Sequence, residues 1–480
     1  LIIRMTDNMK KIIRLSLALL VLGFVSCEKE LPSQVEQPYD TEISAIKIVN
    51  AGADGTTVLE GRIDEENKMI DFKRIVPETD FSNLKVEATL SDGAVLENDV
   101  FDFSMDEETT EKTLILRIKN HNRYKDYFIR VRKKVPVFGA DWEKVKTYGF
   151  CAATNNTYEH FNSGTTRWAG FDGEYVLVVS RKGGTNPHLL KVSDLKEGKI
   201  EPIMLNNEGV TGGTFPIHSG AVIKGHTYVS NLSGGGKWSP LKIYYYETPA
   251  SAPEVILNVT LNTIDGANSR HGDNASFNLD ENGNGYVFFG NNGSTDVLRF
   301  TIRNWKEIDP ASATVLGSDS KANSYITVNR IWGTDSYIFG GIYMAPKIVD
   351  ESMSVQYALK STSVAAQSTA CQIISFNDER YLVTMTAGRT EDVTPTMNVY
   401  DITKGGDTLT DGLAKFEEGD RKPVYSFILG GGKSISPGTN LNYYIEKDAA
   451  GKDSKLYLFA ARCDSGFAIC EFPIKVALDD

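Results

Sequence analysis

Gln372-Ile373-Ile374-Ser375-Phe376-Asn377-Asp378-Glu379-Arg380-Tyr381-Leu382-Val383 is the stretch that decides the fold. An apolar run meets an Asn-Asp pair, and a tyrosine then opens a second apolar run. Asn and Asp accept the positive φ that a two-residue hairpin demands, so the stretch reads as two antiparallel strands and a tight turn. The phrase recurs around Glu174-Tyr175-Val176-Leu177-Val178, Thr227-Tyr228-Val229, Gly285-Tyr286-Val287-Phe288-Phe289, Ser336-Tyr337-Ile338-Phe339 and Leu456-Tyr457-Leu458-Phe459. Turn residues precede each tyrosine: Asp172-Gly173, Lys224-Gly225, Asn282-Gly283, Thr334-Asp335 and Gly451-Lys452-Asp453. Another apolar strand follows by about ten to twenty residues, as in Leu189-Leu190-Lys191-Val192, Leu241-Lys242-Ile243-Tyr244, Val297-Leu298-Arg299-Phe300 and Met397 to Ile402. Copies at roughly 45–75-residue spacing, each of about four strands, predict the blades of a β-propeller over residues 136–480.

Six tyrosines give six blades, and the long gap between Tyr381 and Tyr457 leaves room for a seventh around Val424-Tyr425-Ser426-Phe427. The chain ends soon after Phe472-Pro473-Ile474-Lys475-Val476, so the last blade is expected to take a strand from near Val145 to Phe150. That exchange closes the ring and leaves no free sheet edge.

Strand order then puts the short hairpin turns on one face of the disc. The loops entering each blade, and those after each tyrosine strand, fall on the other. Small polar residues fill the latter: Thr211-Gly212-Gly213-Thr214, Ser233 to Trp238, Asn291-Asn292-Gly293-Ser294 and Gly430-Gly431-Gly432-Lys433. With them come Trp168, His218, Trp238, Arg270, His271, Asp273 and Arg389, the candidate ligand face. Gly and Ser let a ligand approach the backbone, and an exposed Trp offers a sugar-stacking platform. Set against this, Gly and Ser simply make loops, and Trp168 and Trp332 have the alternative of packing between blades.

Upstream, residues 42–135 hold alternating apolar runs at Ile43 to Val49, Met69 to Phe72, Leu84 to Leu90, Leu114 to Ile118 and Tyr127 to Val131. Period-two alternation between Asp-Gly and Asn-rich turns predicts half-buried antiparallel strands, in a segment the size of one immunoglobulin-like sandwich. The order of elements, including Thr79-Asp80-Phe81-Ser82-Asn83-Leu84, resembles the Ig-like modules of Bacteroidetes lipoproteins. No Cys…Trp…Cys core is present, so only the architecture carries over, with a spacer role. The disc likewise resembles a propeller family of unknown function found in Bacteroidetes lipoproteins, a resemblance that brings no catalytic motif.

The N-terminus places the protein. Met9-Lys10-Lys11 and Arg14 are basic, Leu15 to Val25 is apolar, and Val25-Ser26-Cys27 closes the run. This pattern is a secretory signal, too short for a stable membrane span. Leu22-Gly23-Phe24-Val25-Ser26-Cys27 resembles the lipobox of bacterial lipoproteins, which implies lipidation at Cys27 and a membrane partner through the lipid anchor. Leu1 is no normal start, and Met9 reads as the true one. Residues 28–41, with Pro32 and Pro38, read as a tether. Glu28-Lys29-Glu30 resembles the surface-export signal of Bacteroidetes lipoproteins, implying the outer membrane with the protein facing the exterior; a periplasm-facing anchor is the alternative.

Composition narrows the partners. A net charge of −12 without a basic cluster argues against nucleic acid. Cys151, Cys371, Cys463 and Cys470 form no CxxC pair, so no metal or other cofactor is expected. Cys463 and Cys470 flank a turn signal, as a disulfide or as buried thiols. Asp280 to Gly285 starts like a calcium loop, but its twelfth position is Asn291 and the motif falls on a hairpin turn. The leading expectation is a non-catalytic surface lipoprotein binding a glycan. The alternatives are a polysaccharide-active hydrolase or lyase using His218, His271 and Arg270, and a protein-docking subunit of an outer-membrane uptake complex.

Overall fold

The computed structural model describes residues 39–476 except 107–108, 135–136, 183–184, 235–238, 268–269, 292–295 and 318–324. Cys27, the signal segment and most of the tether, together with Trp238, lie outside the described residues. The chain divides after Pro136 into two compact units.

In the first unit, eight strands form one hydrogen-bonded path. Its order is Val95–Leu96, Glu111–Asn120, Arg123–Arg132, Met69–Phe72, Thr57–Asp64, Ile43–Ala51, Leu84–Leu90 and Val100–Phe101. Met69–Phe72 runs parallel to Arg123–Arg132, and the other neighbours are antiparallel. Alternation buries Ile46, Ile48, Ile70, Phe72, Leu84, Val86, Leu116, Ile118, Ile129 and Val131 in one core. Within the phrase beginning at Thr79, Asp80 accepts from the Ser82 amide at 3.0 Å and starts the one-turn helix Phe81–Asn83. Thr57–Asp64 is a strand that the sequence reading missed, because its residues are mostly half-exposed and weakly apolar.

The second unit is a six-bladed propeller. Blade 1 comprises Thr166–Phe171, Tyr175–Ser180, His188–Lys191 and Ile203–Met204, from the axis outward. Blade 2 comprises Phe215–Ile223, His226–Leu232, Pro240–Tyr246 and Glu254–Thr260. Blade 3 comprises Ala275–Leu279, Gly285–Phe289, Asp296–Arg303 and Glu307–Ile308, with Thr314–Gly317 also on its third strand. Blade 4 comprises Thr327–Arg330, Tyr337–Gly341, Met344–Val349 and Val355–Ala358. Blade 5 comprises Ser368–Phe376, Glu379–Thr386, Thr396–Asp401 and Tyr425–Ile428. Blade 6 comprises Thr439–Lys447, Asp453–Arg462 and Gly466–Pro473, completed by Lys146–Cys151 from the start of the unit. The register Gly466↔Cys151 to Glu471↔Lys146 closes the ring as the sequence predicts.

The seventh blade does not form. Tyr425–Ile428 is the outermost strand of blade 5, and the helix Leu409–Glu418 takes up the extra length by burying Leu413 and Phe416. Each repeat tyrosine lies on the second strand of its blade, and in several blades its hydroxyl bonds onward to the next. Tyr228 donates to the Trp305 carbonyl at 2.6 Å, and Tyr286 to Glu351 at 2.9 Å. Tyr381 accepts from the Ala140 amide at 3.1 Å, and Tyr457 accepts from Lys196 at 3.0 Å. The repeat therefore records an inter-blade contact as well as a strand.

Near the axis, amide side chains join neighbouring inner strands. Asn278 donates to Val328 O at 2.8 Å, Asn329 to Cys371 O at 2.8 Å and Gln372 to Leu441 O at 3.2 Å. Asn440 accepts from the Ala169 amide at 2.9 Å. These bonds link blades 3 to 4, 4 to 5, 5 to 6 and 6 to 1, and satisfy groups that the sheets leave open.

Candidate functional site

Inner strands run from the loop face toward the hairpin face, so residues at their starts form a ring around the axis. Arg167 supplies blade 1, His218 blade 2, Asp273 blade 3, Tyr325 blade 4 and Ser436 blade 6. Second strands end on the same face, which brings Arg181 beside His218. The Arg181 Nη1 donates to His218 Nδ1 at 3.3 Å, and its guanidinium sits 3.5 Å from the centre of the Phe215 ring. Arg167 donates to Ser436 O at 2.6 Å, to Gly164 O at 3.3 Å and to the Tyr325 hydroxyl at 3.2 Å. Arg270 pairs with Asp273 at 2.6 Å. Gly272 between them has φ +101, and a Cβ there would meet Asn231 O at 2.4 Å, so the turn that aims Asp273 requires glycine.

Burial, with charge behind it, sets the protonation of this ring. Burial, then the guanidinium groups of Arg167, Arg181 and Arg270, hold His218 well below the ordinary histidine range. Burial and neighbouring Arg167 bring Arg181 down to about 10, which leaves it cationic at neutral pH. His218 is therefore neutral, with Nδ1 already filled by Arg181.

The structure thus brings His218, Arg270 and Asp273 together at the mouth and separates them from the other candidates. His271 is fully buried; its ring lies 3.0 Å from Asp296 and its amide and carbonyl are both bonded to Ser233. It holds two loops together and presents nothing to solvent. Trp168 is 6% exposed and packs with Leu177, Val179, Val222 and Val229 between blades 1 and 2. Arg389 shares the face but lies over the Tyr343 ring at 5.7 Å, with its amide bonded to Gln367. Trp332, at 43% exposure, is open on the hairpin face and does not pack between blades.

Arg167, Arg181 and Tyr325 escaped the sequence reading. Arg181 did carry a signal, since it directly follows the Tyr175 strand on the face already singled out. Arg167 and Tyr325 look like ordinary strand-entry residues until the ring closes.

A cavity of about 400 Å³ lies on the axis, lined by the inner strands of all six blades. Its rim on the hairpin face carries Trp332, Tyr444, Lys224 and Glu281. Cys463 and Cys470 are buried free thiols, as are Cys151 and Cys371; Cys470 stands opposite Leu458, out of register with Cys463. Asp280 Oδ1 accepts from the amides of Asn282 and Asn284 at 2.8 and 2.9 Å, so the calcium-like sequence builds a turn.

A DUF4623 family protein from Bacteroides eggerthii DSM 20697, known from its crystal structure, is 52% identical, with a TM-score of 0.79 over 92% of this chain and 100% of that one. A subtype N10 neuraminidase-like protein of A/little yellow-shouldered bat is 10% identical, with a TM-score of 0.40 over 70% of this chain and 100% of that one. The WD40 β-propeller domain of Doa1 is 9% identical, with a TM-score of 0.34 over 76% and 89%. Both are too distant to carry an argument. No curated protein matches the chain. The family model covers residues 35–475, so it takes in both units, and the chain belongs to the DUF4623 family, a domain of unknown function.

Proposed function

We propose that this protein is a lipid-anchored surface protein whose propeller binds an extracellular glycan on its loop face without catalysing a reaction. In this reading Cys27 carries the lipid, the outer membrane holds it facing outward, and the first unit is an Ig-like spacer. The single observation that carries the binding site is the mouth cluster, where Arg181 and Phe215 reach solvent beside a neutral His218. Phe215, at 37% exposure, offers an apolar face of the kind that stacks on a sugar ring. The Arg181 guanidinium against it donates hydrogen bonds in fixed directions.

Binding is favoured over catalysis because His218 has no hydroxyl or thiol partner among the described residues, and its Nδ1 is filled. A protein nucleophile is activated only where its hydroxyl or thiol lies within hydrogen-bond reach of the base. The test is a broad glycan panel against the mature chain, scored for binding and for product. Binding lost in Phe215→Ala without loss of melting temperature supports the proposal. Turnover of a bound polysaccharide would replace it with the enzyme reading, and silence across the panel would favour protein docking in an uptake complex.

A further inference from the structure

We infer that the mouth cluster selects a carboxylate-bearing saccharide, such as a uronic acid residue, with Arg181 as the group that receives the carboxylate. The inference rests on the loop-face reading above and adds the chemistry of the ligand.

Three guanidinium groups act on His218, and among the described residues one ion pair is formed between them and a carboxylate, that of Arg270 with Asp273. Arg167 is only 5% exposed, yet its acceptors among the described residues are two carbonyl oxygens, a tyrosine hydroxyl and the Cys463 thiol, and none is a carboxylate. Its Nε is buried without a hydrogen-bond partner among the described residues. Arg181 is half-buried, and no carboxylate lies within ion-pair distance of it among the described residues. One edge of its guanidinium meets His218 and one face meets Phe215. The Nε and Nη2 groups make no hydrogen bond among the described residues.

A buried or half-buried cation normally carries an anionic partner, because desolvating an unpaired charge is costly. Among the described residues Arg181 has none, in a protein whose net charge is −12, so carboxylates were plentiful elsewhere on the chain. The missing charge is one that a ligand brings. A guanidinium fork matches the two oxygens of a carboxylate in one plane. Phe215 lies against the same guanidinium, which places an apolar face next to the anion position. A charged carboxyl on a ring with C–H faces satisfies both, whereas a bare inorganic anion uses only the first.

The experiment compares trigalacturonate with its fully methyl-esterified form on the intact mature protein, by calorimetry at low and physiological salt. The two probes share one backbone and differ in charge. The acid should bind about tenfold to a hundredfold more tightly than the ester, the worth of one charge-assisted hydrogen-bond pair. Arg181→Gln should abolish that preference while keeping the melting temperature, and Arg181→Lys should restore it only in part, because the amine has no fork. Equal affinity for acid and ester, or an unchanged preference in Arg181→Gln, overturns the inference and leaves the loop-face glycan reading standing. Failure of both probes and of glucuronate oligosaccharides to bind overturns the inference. If neutral members of the glycan panel also fail, the loop-face reading falls with it. Binding of inorganic sulfate as tight as that of trigalacturonate would also sink it, since it would show an anion site indifferent to the sugar.

Discussion

Arg167 on blade 1 and Tyr325 on blade 4 meet at 3.2 Å, although 158 positions separate them in sequence. In a closed ring of six blades these two stand opposite one another, so the bond crosses the axis at the loop-face end of the central cavity. Tyr325 also packs with Ile342 and Ala387, which belong to blades 4 and 5. One side chain thus braces three blades at the mouth and fixes the guanidinium beside the candidate site.

Removing that hydroxyl tests the brace. Tyr325→Phe should lower stability by about 1–2 kcal/mol, because it leaves a buried guanidinium donor without its acceptor. Arg167→Ala should cost more, about 3 kcal/mol, since it also strands Ser436 O and Gly164 O. Urea unfolding of both variants measures the difference. Equal and negligible losses would show that water replaces the bond.

The inner-strand amide links give a second prediction. Asn440→Ala removes the acceptor of the Ala169 amide, a buried group joining blade 6 to blade 1. The expected loss is about 1–3 kcal/mol, the cost of a buried donor left unpaired. Asn442→Ala, three positions along the cavity wall from Thr439 and without such a link, should be nearly neutral in the same thermal scan.

How much of this was legible in sequence depends on the kind of constraint. Tyr175, Tyr228, Tyr286, Tyr337, Tyr381 and Tyr457 mark the second strands because hairpin chemistry is local, written in Asp172-Gly173 or Asn377-Asp378 beside them. The borrowed strand Lys146–Cys151 was legible too, because a last blade of three strands leaves an open sheet edge that an apolar run at the start of the unit can cover. The site was legible only in part. His218, Arg270 and Asp273 stood out by residue type on loops of the right face. Arg167 and Tyr325 did not, because their meaning comes from ring closure across blades. Trp168 misled for the same reason: residue type suggested a platform, whereas packing between blades decides its burial.

Acid should weaken the fold through its buried histidines. His188 is fully buried; its Nε2 accepts from the Tyr158 hydroxyl at 2.9 Å, and its Nδ1 faces Asn186 O at 2.8 Å, the bonding of a neutral ring. Burial lowers it to about 4. An unfolded histidine titrates near 6.5, so the unfolded state takes up the proton first as pH falls. The stability His188 contributes is therefore full above about pH 6.5 and is lost progressively as pH drops toward 4, by about 3 kcal/mol in all. His218, shifted in the same direction, adds to the slope. A His188→Gln variant should show a shallower decline in melting temperature over that window, and an unchanged slope would refute the assignment.

Lipidation makes a prediction that needs no fold. Cells fed a labelled fatty acid should label the wild-type protein, and Cys27→Ala should remove both the label and the membrane association. Several acyl chains anchor a protein stably where one does so only marginally, so the variant should move fully to the soluble fraction. Label that survives the substitution rules out Cys27.

Two tryptophans separate packing from recognition. Trp168 is 6% exposed among Leu177, Val179 and Val222, so Trp168→Ala should open a cavity and cost about 3–5 kcal/mol. Trp332 is 43% exposed, and the Arg330 guanidinium lies 5.1 Å from its ring centre. Truncating it forfeits at most an exposed cation–π contact, about 0.5–1 kcal/mol. Fluorescence should agree, with Trp332 open to iodide quenching and Trp168 protected. Because Trp332 stands at the hairpin-face rim of the axial cavity, glycan binding at the loop face should leave its quenching unchanged. A Trp332 signal that moves with the ligand would place binding at the opposite end of the axis, and the mouth cluster would lose its claim to the site.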